Sequence, residues 1–383
     1  PDVASTSIYT APSTLWTGDS LMQQPRWYNS SVTLPDGRVF TLGGNLLSGL
    51  DGRGEIWSPG AGWTVVPGAV MDPLLTTDPV NRSQEHPRLF VAPNGKIFVP
   101  GPTPNMQWYD LTGNGSVQSA GRRGDDDFSQ NDVTVLYDVG KLLKAGGNVN
   151  YDRTGAAQSP SSANAYVIDI NGGGLAAVHR IPSLAHGRAF ANGVILPDGR
   201  VLVTGGLDNG KGFSDVGATL TPELFDPATE TWRDLAAMDV SRPYHSVAVL
   251  LPDGRVFQSG GGLCGTGCVA NHFDLQLFSP PYLFRGARPQ ITSAPSVAGW
   301  GATLNVLTSG AVTAFTWVRM SSTTHTVNTD QRFLRASSTA LGSGAFSVVT
   351  PASANLAPPG YYMLFALDGG GTPSVAKVMR LGP

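Results

Sequence analysis

The chain has 383 residues, enough for one large core or two domains, and only 14% of them are charged, against roughly 25% in an ordinary globular protein. A net charge of −3 leaves no electrostatic footprint for nucleic acid or an anionic membrane, and no apolar run approaches the roughly 18 residues of a membrane span. Glycine (48) and proline (29) make about a fifth of the chain and interleave with apolar runs, a composition of many short strands joined by tight turns rather than of disorder.

The chain starts at Pro1, without an initiator methionine or a signal-like segment, as expected of a processed or trimmed product. Its first patterned segment is Ser7-Ile-Tyr-Thr-Ala-Pro-Ser-Thr-Leu-Trp16: an apolar pair, a turn proline, then tryptophan. A hairpin pattern then recurs five times, over residues 31–44, 89–101, 133–147, 193–206 and 247–261. The first copy reads Ser31-Val-Thr-Leu-Pro-Asp-Gly-Arg-Val-Phe-Thr-Leu-Gly-Gly44. Period-2 alternation predicts two strands, and Asp-Gly or Asn-Gly is expected to supply the positive φ angles of the turn between them. The closing Gly-Gly lets backbones crowd at a central channel. The proline–tryptophan signature returns after the first and fourth hairpins, at Glu55–Trp63 and Glu223–Trp232, so residues 7–16 read as an outer hairpin without its inner one.

Repeats spaced by about 45 to 60 residues predict a kelch-type β-propeller of four-stranded blades. The expected fold is all-β: about five and a half blades of a seven-bladed propeller over residues 1–285, then an immunoglobulin-like β-sandwich over 286–383. Such an open ring would expose unpaired edges, and a companion chain from the same precursor is expected to close it.

Cys264 and Cys268 are the two cysteines, with three residues between them in a glycine-rich turn. They cannot complete a four-ligand zinc site. A small-loop disulfide and an oxidising compartment are preferred over a reduced cytosolic pair. No Gly-Xaa-Ser-Xaa-Gly elbow, phosphate loop or His-Glu-Xaa-Xaa-His motif is present. The acidic run at 125–127 reads as a solvated turn. Tyr244 and His245 lie just before the fifth hairpin, at the expected channel mouth, and Tyr28 holds the equivalent place before the first. His325 lies in a polar loop of the last domain. Two imidazoles and two phenols form an N₂O₂ donor set that suits tetragonal Cu(II) better than zinc or calcium.

At these residues the sequence resembles the galactose oxidase and glyoxal oxidase family of copper-radical oxidases. The resemblance runs from about residue 6 to the C-terminus. It rests on Arg242-Pro-Tyr-His-Ser246 with its hairpin, Gly260-Gly-Gly-Leu-Cys264 with Asn271-His-Phe-Asp274, Thr324-His-Thr-Val-Asn-Thr-Asp-Gln-Arg332 and Pro358-Pro-Gly-Tyr-Tyr-Met-Leu-Phe365. It implies one copper ion held by Tyr28, Tyr244, His245 and His325. Tyr28 resembles the tyrosine that carries the radical, and Tyr244 the one that takes the substrate's hydroxyl proton. The implied reaction oxidises a primary alcohol or small aldehyde by two electrons and reduces O₂ to hydrogen peroxide, outside the cell. Cys264 and Cys268 match the family's small-loop disulfide, with one extra residue between them. The family's cross-linking cysteine lies one blade before Tyr28, in a hairpin that this sequence does not include, so a thioether at Tyr28 would need a cysteine from elsewhere.

Around the implied substrate, Arg82, Tyr151, Asp152 and Phe213 match rim positions. Leu46 stands where galactose oxidase has a tryptophan over the thioether, and Trp27, as a chain neighbour of Tyr28, is not expected to replace it. A carboxylate at Asp152 and an aliphatic Leu46 argue against galactose as substrate. Two other readings compete: a non-catalytic propeller that binds a glycan or protein partner, and an inactive remnant.

Overall fold

The structure, a computed structural model, describes residues 3–10, 13–45, 52–75, 83–149 and 159–382. Strands β1 (Ser7–Thr10) and β2 (Leu15–Gly18) form a two-stranded sheet. Blade 1 is β3 (Trp27–Thr33), β4 (Val39–Asn45), β5 (Glu55–Ser58) and β6 (Gly62–Val65); blade 2 is β7 (Phe90–Val91), β8 (Ile97–Val99), β9 (Asn105–Asp110) and β10 (Ser116–Arg122). Blade 3 is β11 (Val133–Asp138), β12 (Lys141–Ala145), β13 (Ala165–Asp169) and β14 (Ala177–Ile181); blade 4 is β15 (Asn192–Ile195), β16 (Val201–Thr204), β17 (Glu223–Asp226) and β18 (Thr231–Asp234). Blade 5 has three strands among the described residues: β19 (Ser246–Leu250), β20 (Val256–Gly260) and β21 (Leu275–Phe278). The five expected hairpins are therefore all inner hairpins of sheets, and residues 7–18 form a hairpin on their own.

First strands of successive blades lie against one another, β3 on β7, β11 on β15 and β15 on β19, as they do around the axis of a propeller. Blades 2, 3 and 4 bury both faces. Val32 and Leu42 of blade 1 meet Val91 and Val99 of blade 2, and Phe98 and Trp108 of blade 2 meet Leu136 and Ile168 of blade 3. Val135 and Val167 of blade 3 meet Val203 and Phe225 of blade 4, whose other face carries Leu202 and Leu224 onto Val256. Two-sided burial explains why every residue of the inner strands β15 and β16 is buried, while the outer strand β18 is mostly exposed.

The hairpin turns take one positive φ rather than several. Gly37 sits at φ +87° and Gly199 at +85°, and the residue before each is not left-handed. The aspartate contributes its carboxylate instead: Asp36 Oδ1 accepts from the Arg38 backbone N–H at 3.1 Å, and Asp198 Oδ1 from that of Arg200 at 3.2 Å. The closing glycines do meet neighbouring backbone. A Cβ on Gly43 would stand 2.5 Å from Gln84 O, and one on Gly205 2.7 Å from Arg242 O. The acidic run is a correction to the sequence reading. Asp126 is buried and pairs with Arg123 and Lys144, both at 2.7 Å, because two neighbouring blades bring those cations to it.

Two further sheets face each other after residue 289. One is β22 (Gln290–Ser293), β24 (Thr303–Ser309), β28 (Ala345–Val349) and β27 (Ser338–Gly342) in spatial order. The other is β23 (Val297–Ala298), β30 (Lys377–Leu381), β29 (Gly360–Leu367), β25 (Ala314–Arg319) and β26 (Phe333–Ala336). Their inner faces enclose Val306, Trp317, Val348, Leu364 and Met379, a sandwich core. The second sheet also turns Val318, Phe333, Met363 and Phe365 onto the core shared by blades 3 and 4, so the sandwich sits against the propeller.

Candidate functional site

Every inner hairpin is entered through a residue with left-handed backbone. These are Tyr28 (φ 67°), His86 (53°), Asn131 (55°), Phe190 (65°) and His245 (70°). Their turn glycines are Gly37, Gly95, Gly140, Gly199 and Gly254, nine positions later in each case. Left-handed backbone strains any residue other than glycine by about 1–3 kcal/mol, and here the strain recurs once per blade. Backbone bonds link the positions around the mouth, from His86 N to Tyr28 O (2.8 Å) and from Phe190 N to Asn131 O (3.0 Å).

Blade 5 keeps this spacing but differs by one residue in the spacing from its anchoring arginine. A buried arginine anchors each of three blades by donating from Nη1 to the glycine that closes the hairpin: Arg26 to Gly43 O (2.9 Å), Arg188 to Gly205 O (3.3 Å) and Arg242 to Gly260 O (3.1 Å). Arg26 and Arg188 stand two residues before Tyr28 and Phe190, but Arg242 stands three before His245. A turn with Ser246 N bonded to Pro243 O (3.1 Å) absorbs the extra residue. The expected equivalence of Tyr28 and Tyr244 thus holds counted from the arginine. Counted from the turn glycine, the equivalent of Tyr28 is His245. Two adjacent rings consequently enter the mouth from one blade, with centroids 3.8 Å apart.

The remaining ring comes from the sandwich. The connection from β25 to β26, residues 320–332, enters the propeller and is pinned to the first strands of three blades. Thr329 Oγ1 donates to Ser31 O (2.8 Å) on β3, and Arg332 bridges to Leu136 on β11. Gln331 behaves like a strand neighbour of β15: its Nε2 donates to Gly193 O (2.9 Å) and its Oε1 accepts from Ile195 N (2.7 Å). Arg88, wholly buried, donates to Thr326 Oγ1 (3.3 Å) and His86 O (2.7 Å) and pairs with Asp132 at 3.2 Å. Burial lowers its pKa, and the Asp132 charge opposes that shift. At the tip, His325 and Thr326 are both left-handed, at φ 52° and 67°.

These elements bring Tyr28, Tyr244, His245 and His325 together. The two phenol oxygens lie 3.0 Å apart, Tyr244 donating to Tyr28. The His325 ring centroid is 4.7 Å from Tyr28, 4.7 Å from His245 and 5.3 Å from Tyr244. Gly262 O lies 2.6 Å from His245 Nδ1, and a carbonyl only accepts, so Nδ1 carries the proton and the neutral ring keeps its lone pair on Nε2. Thr324 Oγ1 stands 2.6 Å from His325 Nδ1, where it can orient the second imidazole in the same sense. Among the described residues no group of three or more His, Cys, Asp or Glu side chains could hold a metal ion, so any metal character here depends on the phenols.

His86 went unrecognised in the sequence. Its ring packs 4.5 Å from Tyr28 and 4.6 Å from His325, stacked on the latter. The signal was available, since His86 stands nine residues before a turn glycine as Tyr28 does. Trp27 also differs from expectation: its indole stacks on Tyr28, centroids 4.7 Å apart and planes at 29°. Phe213 lies over the blade 5 pair, 5.3 Å from Tyr244 and 5.7 Å from His245. Cys264 and Cys268 form the small-loop disulfide, with Cα atoms 5.8 Å apart. Leu46, Arg82, Tyr151 and Asp152 lie outside the described residues.

Comparison with solved structures yields a fungal alcohol oxidase of the AA5 family, in complex with copper, at a TM-score of 0.94 and 37% identity, covering 100% of this chain and 81% of that one. The chain belongs to the galactose oxidase and glyoxal oxidase family. The family described as "Galactose oxidase-like, Early set domain" matches residues 288–381. A galactose oxidase of Gibberella zeae is 38% identical over 99% of this chain, and an aldehyde oxidase of Vitis pseudoreticulata 28% identical over 95% of it and 73% of its own length. The chain spans 58% of the length of the Gibberella zeae protein.

Proposed function

We propose that this chain is the copper-holding part of a secreted copper-radical oxidase acting on a primary alcohol or small aldehyde. For an alcohol the balance is RCH₂OH + O₂ → RCHO + H₂O₂, two electrons and two protons moving from substrate to oxygen. The carrying observation is the meeting of Tyr28, Tyr244, His245 and His325 at one mouth, from sequence positions up to 297 residues apart (325 − 28). An N₂O₂ set without thiolate or carboxylate suits tetragonal Cu(II), and the fixed tautomer of His245 offers Nε2 to it. Bound there, copper would accept one of the two electrons and lower the pKa of a coordinated phenol from its usual value of about 10.

The remaining work falls to the side chains. Tyr28 holds the second oxidising equivalent as a tyrosyl radical, and the stacked indole of Trp27 spreads and shields it. Tyr244 takes the substrate's hydroxyl proton. Phe213 walls the substrate side, with Leu46, Arg82, Tyr151 and Asp152 as the proposed rim. A thioether at Tyr28 would require a cysteine from outside this chain, since Cys264 and Cys268 are bonded to each other.

A companion polypeptide completing the propeller is supported by the apolar surface on its two open edges. Tyr9, Leu15 and Trp16 on the lone hairpin and Leu275 and Leu277 on the free side of β21 are all exposed. We divide the chain at residues 285 and 286 into propeller and sandwich. The oxidising compartment rests on the disulfide.

Copper titration followed by EPR and a peroxide assay tests the reading. One copper per chain with a tetragonal Cu(II) signal is expected, and the complete copper-loaded protein should make peroxide from some primary alcohol or aldehyde. No peroxide from a broad panel, or copper binding equal to that of a His245→Ala, His325→Ala double variant, would overturn it. A purely glycan- or protein-binding propeller predicts that copper changes nothing.

A further inference from the structure

Phe213 is held over Tyr244 and His245 by a loop with asymmetric support. The loop, residues 207–219, leaves the inner hairpin of blade 4 on the same side as the mouth. Its base is fixed by backbone: Leu207 pairs with both Ala189 and Ala218, and Thr219 N donates to Gly206 O (2.9 Å). Its blade 3 flank is fixed the same way, by Ser161 N to Asp208 O (2.7 Å) and the bridge of Pro160 with Asn209. Its interior is tight, since Asp208 N donates to Gly217 O (2.8 Å) and a Cβ on Gly217 would strike the Asp208 carboxylate. Toward blade 5 the contact is made by side chains. His272 Nε2 donates to Asp215 Oδ1 at 2.8 Å, two residues from Phe213.

The far side of this contact is anchored beside the donors. His272 N donates to Gly261 O, and a Cβ on Gly261 would lie between Pro243 (2.8 Å) and His272 (3.1 Å). His272 and Pro243, the residue before Tyr244, therefore flank Gly261. The side chains of His272 and Asp215 are 16% and 33% exposed, so the bond is partly shielded from water.

We infer that Asp215 and His272 form a latch that sets the position of Phe213, and with it the width of the opening above Tyr244 and His245, which makes both of them positioning residues for substrate. This rests on the oxidase reading above. A loop held by backbone on one flank and by a single ionisable pair on the other can swing about its fixed base when the pair is broken. Phe213 would then lose its packing on both rings and its contact with any substrate seated there. A wall of this kind contributes equally to ground-state and transition-state binding, so its loss appears in KM and not in kcat.

The test uses the complete copper-loaded protein. Asp215→Ala and His272→Ala should each raise KM for a small primary alcohol by about tenfold while kcat stays within about twofold. His272→Gln, whose amide can still donate to Asp215, should recover most of the difference. In a Phe213→Ala background the Asp215→Ala effect should vanish, since the two changes act through the same side chain. Amide hydrogen exchange over residues 207–219 should quicken by about tenfold in Asp215→Ala, and the Cu(II) EPR signal should stay as in the wild type. An unchanged KM, or a full effect persisting without Phe213, overturns the latch. If the wild type itself makes no peroxide, the oxidase reading falls, and exchange decides the latch alone: equal protection in wild type and Asp215→Ala overturns it.

Discussion

Blades 4 and 5 share one hairpin pattern and put it to opposite uses. Blade 4 has four strands, its mouth residue is the buried Phe190, and its anchoring pair, Arg188–Glu223, is wholly buried. Blade 5 has three strands among the described residues, presents Tyr244 and His245, and anchors Arg242 on Asp274, whose side chain is 46% exposed. On the proposed reading the first contributes packing and the second chemistry, a division expected where polar, strained donors must be held by a stiffer neighbour.

The anchors should break this comparison most sharply. Glu223 accepts from Arg188 Nη2 (2.6 Å) and from the backbone N–H groups of Ala185 (2.7 Å) and His186 (3.3 Å). Glu223→Ala strands a buried cation and should cost about 3–5 kcal/mol in urea unfolding. Gln331→Leu comes next. It leaves Gly193 O and Ile195 N without their finger partner inside the channel, at about 2–4 kcal/mol, and should weaken copper binding because the neighbouring His325 loses its support. His245→Ala should lower copper affinity by about a hundredfold, or about 2.7 kcal/mol, by calorimetric titration, whereas Phe190→Ala at the same repeat position should leave that affinity within a few-fold.

The smallest effect separates the anchors by acid. The hydrogen bond from Arg242 holds the Asp274 carboxyl below the usual range, and the arginine's charge adds to the shift. A carboxyl with a depressed folded-state pKa stabilises the fold above its unfolded pKa of about 4 and loses that contribution as pH falls through the folded value. Asp274→Asn should therefore cost under about 1 kcal/mol at neutral pH, since the pair is half exposed, and should flatten the fall in stability below about pH 4. A variant that unfolds in acid just as the wild type does would remove Asp274 from the account.

The hairpins were legible because their cause is local: a turn glycine and alternating apolar residues suffice to specify them. The mouth positions were half legible. Tyr28 and Tyr244 were matched by their place just before a hairpin, and the extra residue in blade 5 hid the match of Tyr28 with His245. His86 escaped because one histidine before one hairpin looks unremarkable until the spacing is laid over all five. His325 was legible only as a histidine in a polar loop of the last domain. It stands in no repeat, and its place depends on Gln331, Thr329 and Arg88, which act over long sequence distances. Adjacent residues such as Trp27 and Tyr28 usually point apart on a strand, and the left-handed backbone at Tyr28 removes that rule.

The finger from the sandwich also imposes an order on assembly. Residues 320–332 reach β3, β11 and β15, so their bonds can form only after three blades exist and the sandwich has docked. On the proposed reading, His325 is thus the last donor delivered, long after Tyr28 has left the ribosome. Metal acquisition would then report on folding: a chain whose sandwich had not docked would lack a complete set of donors, and tight copper retention would mark the molecules that finished folding.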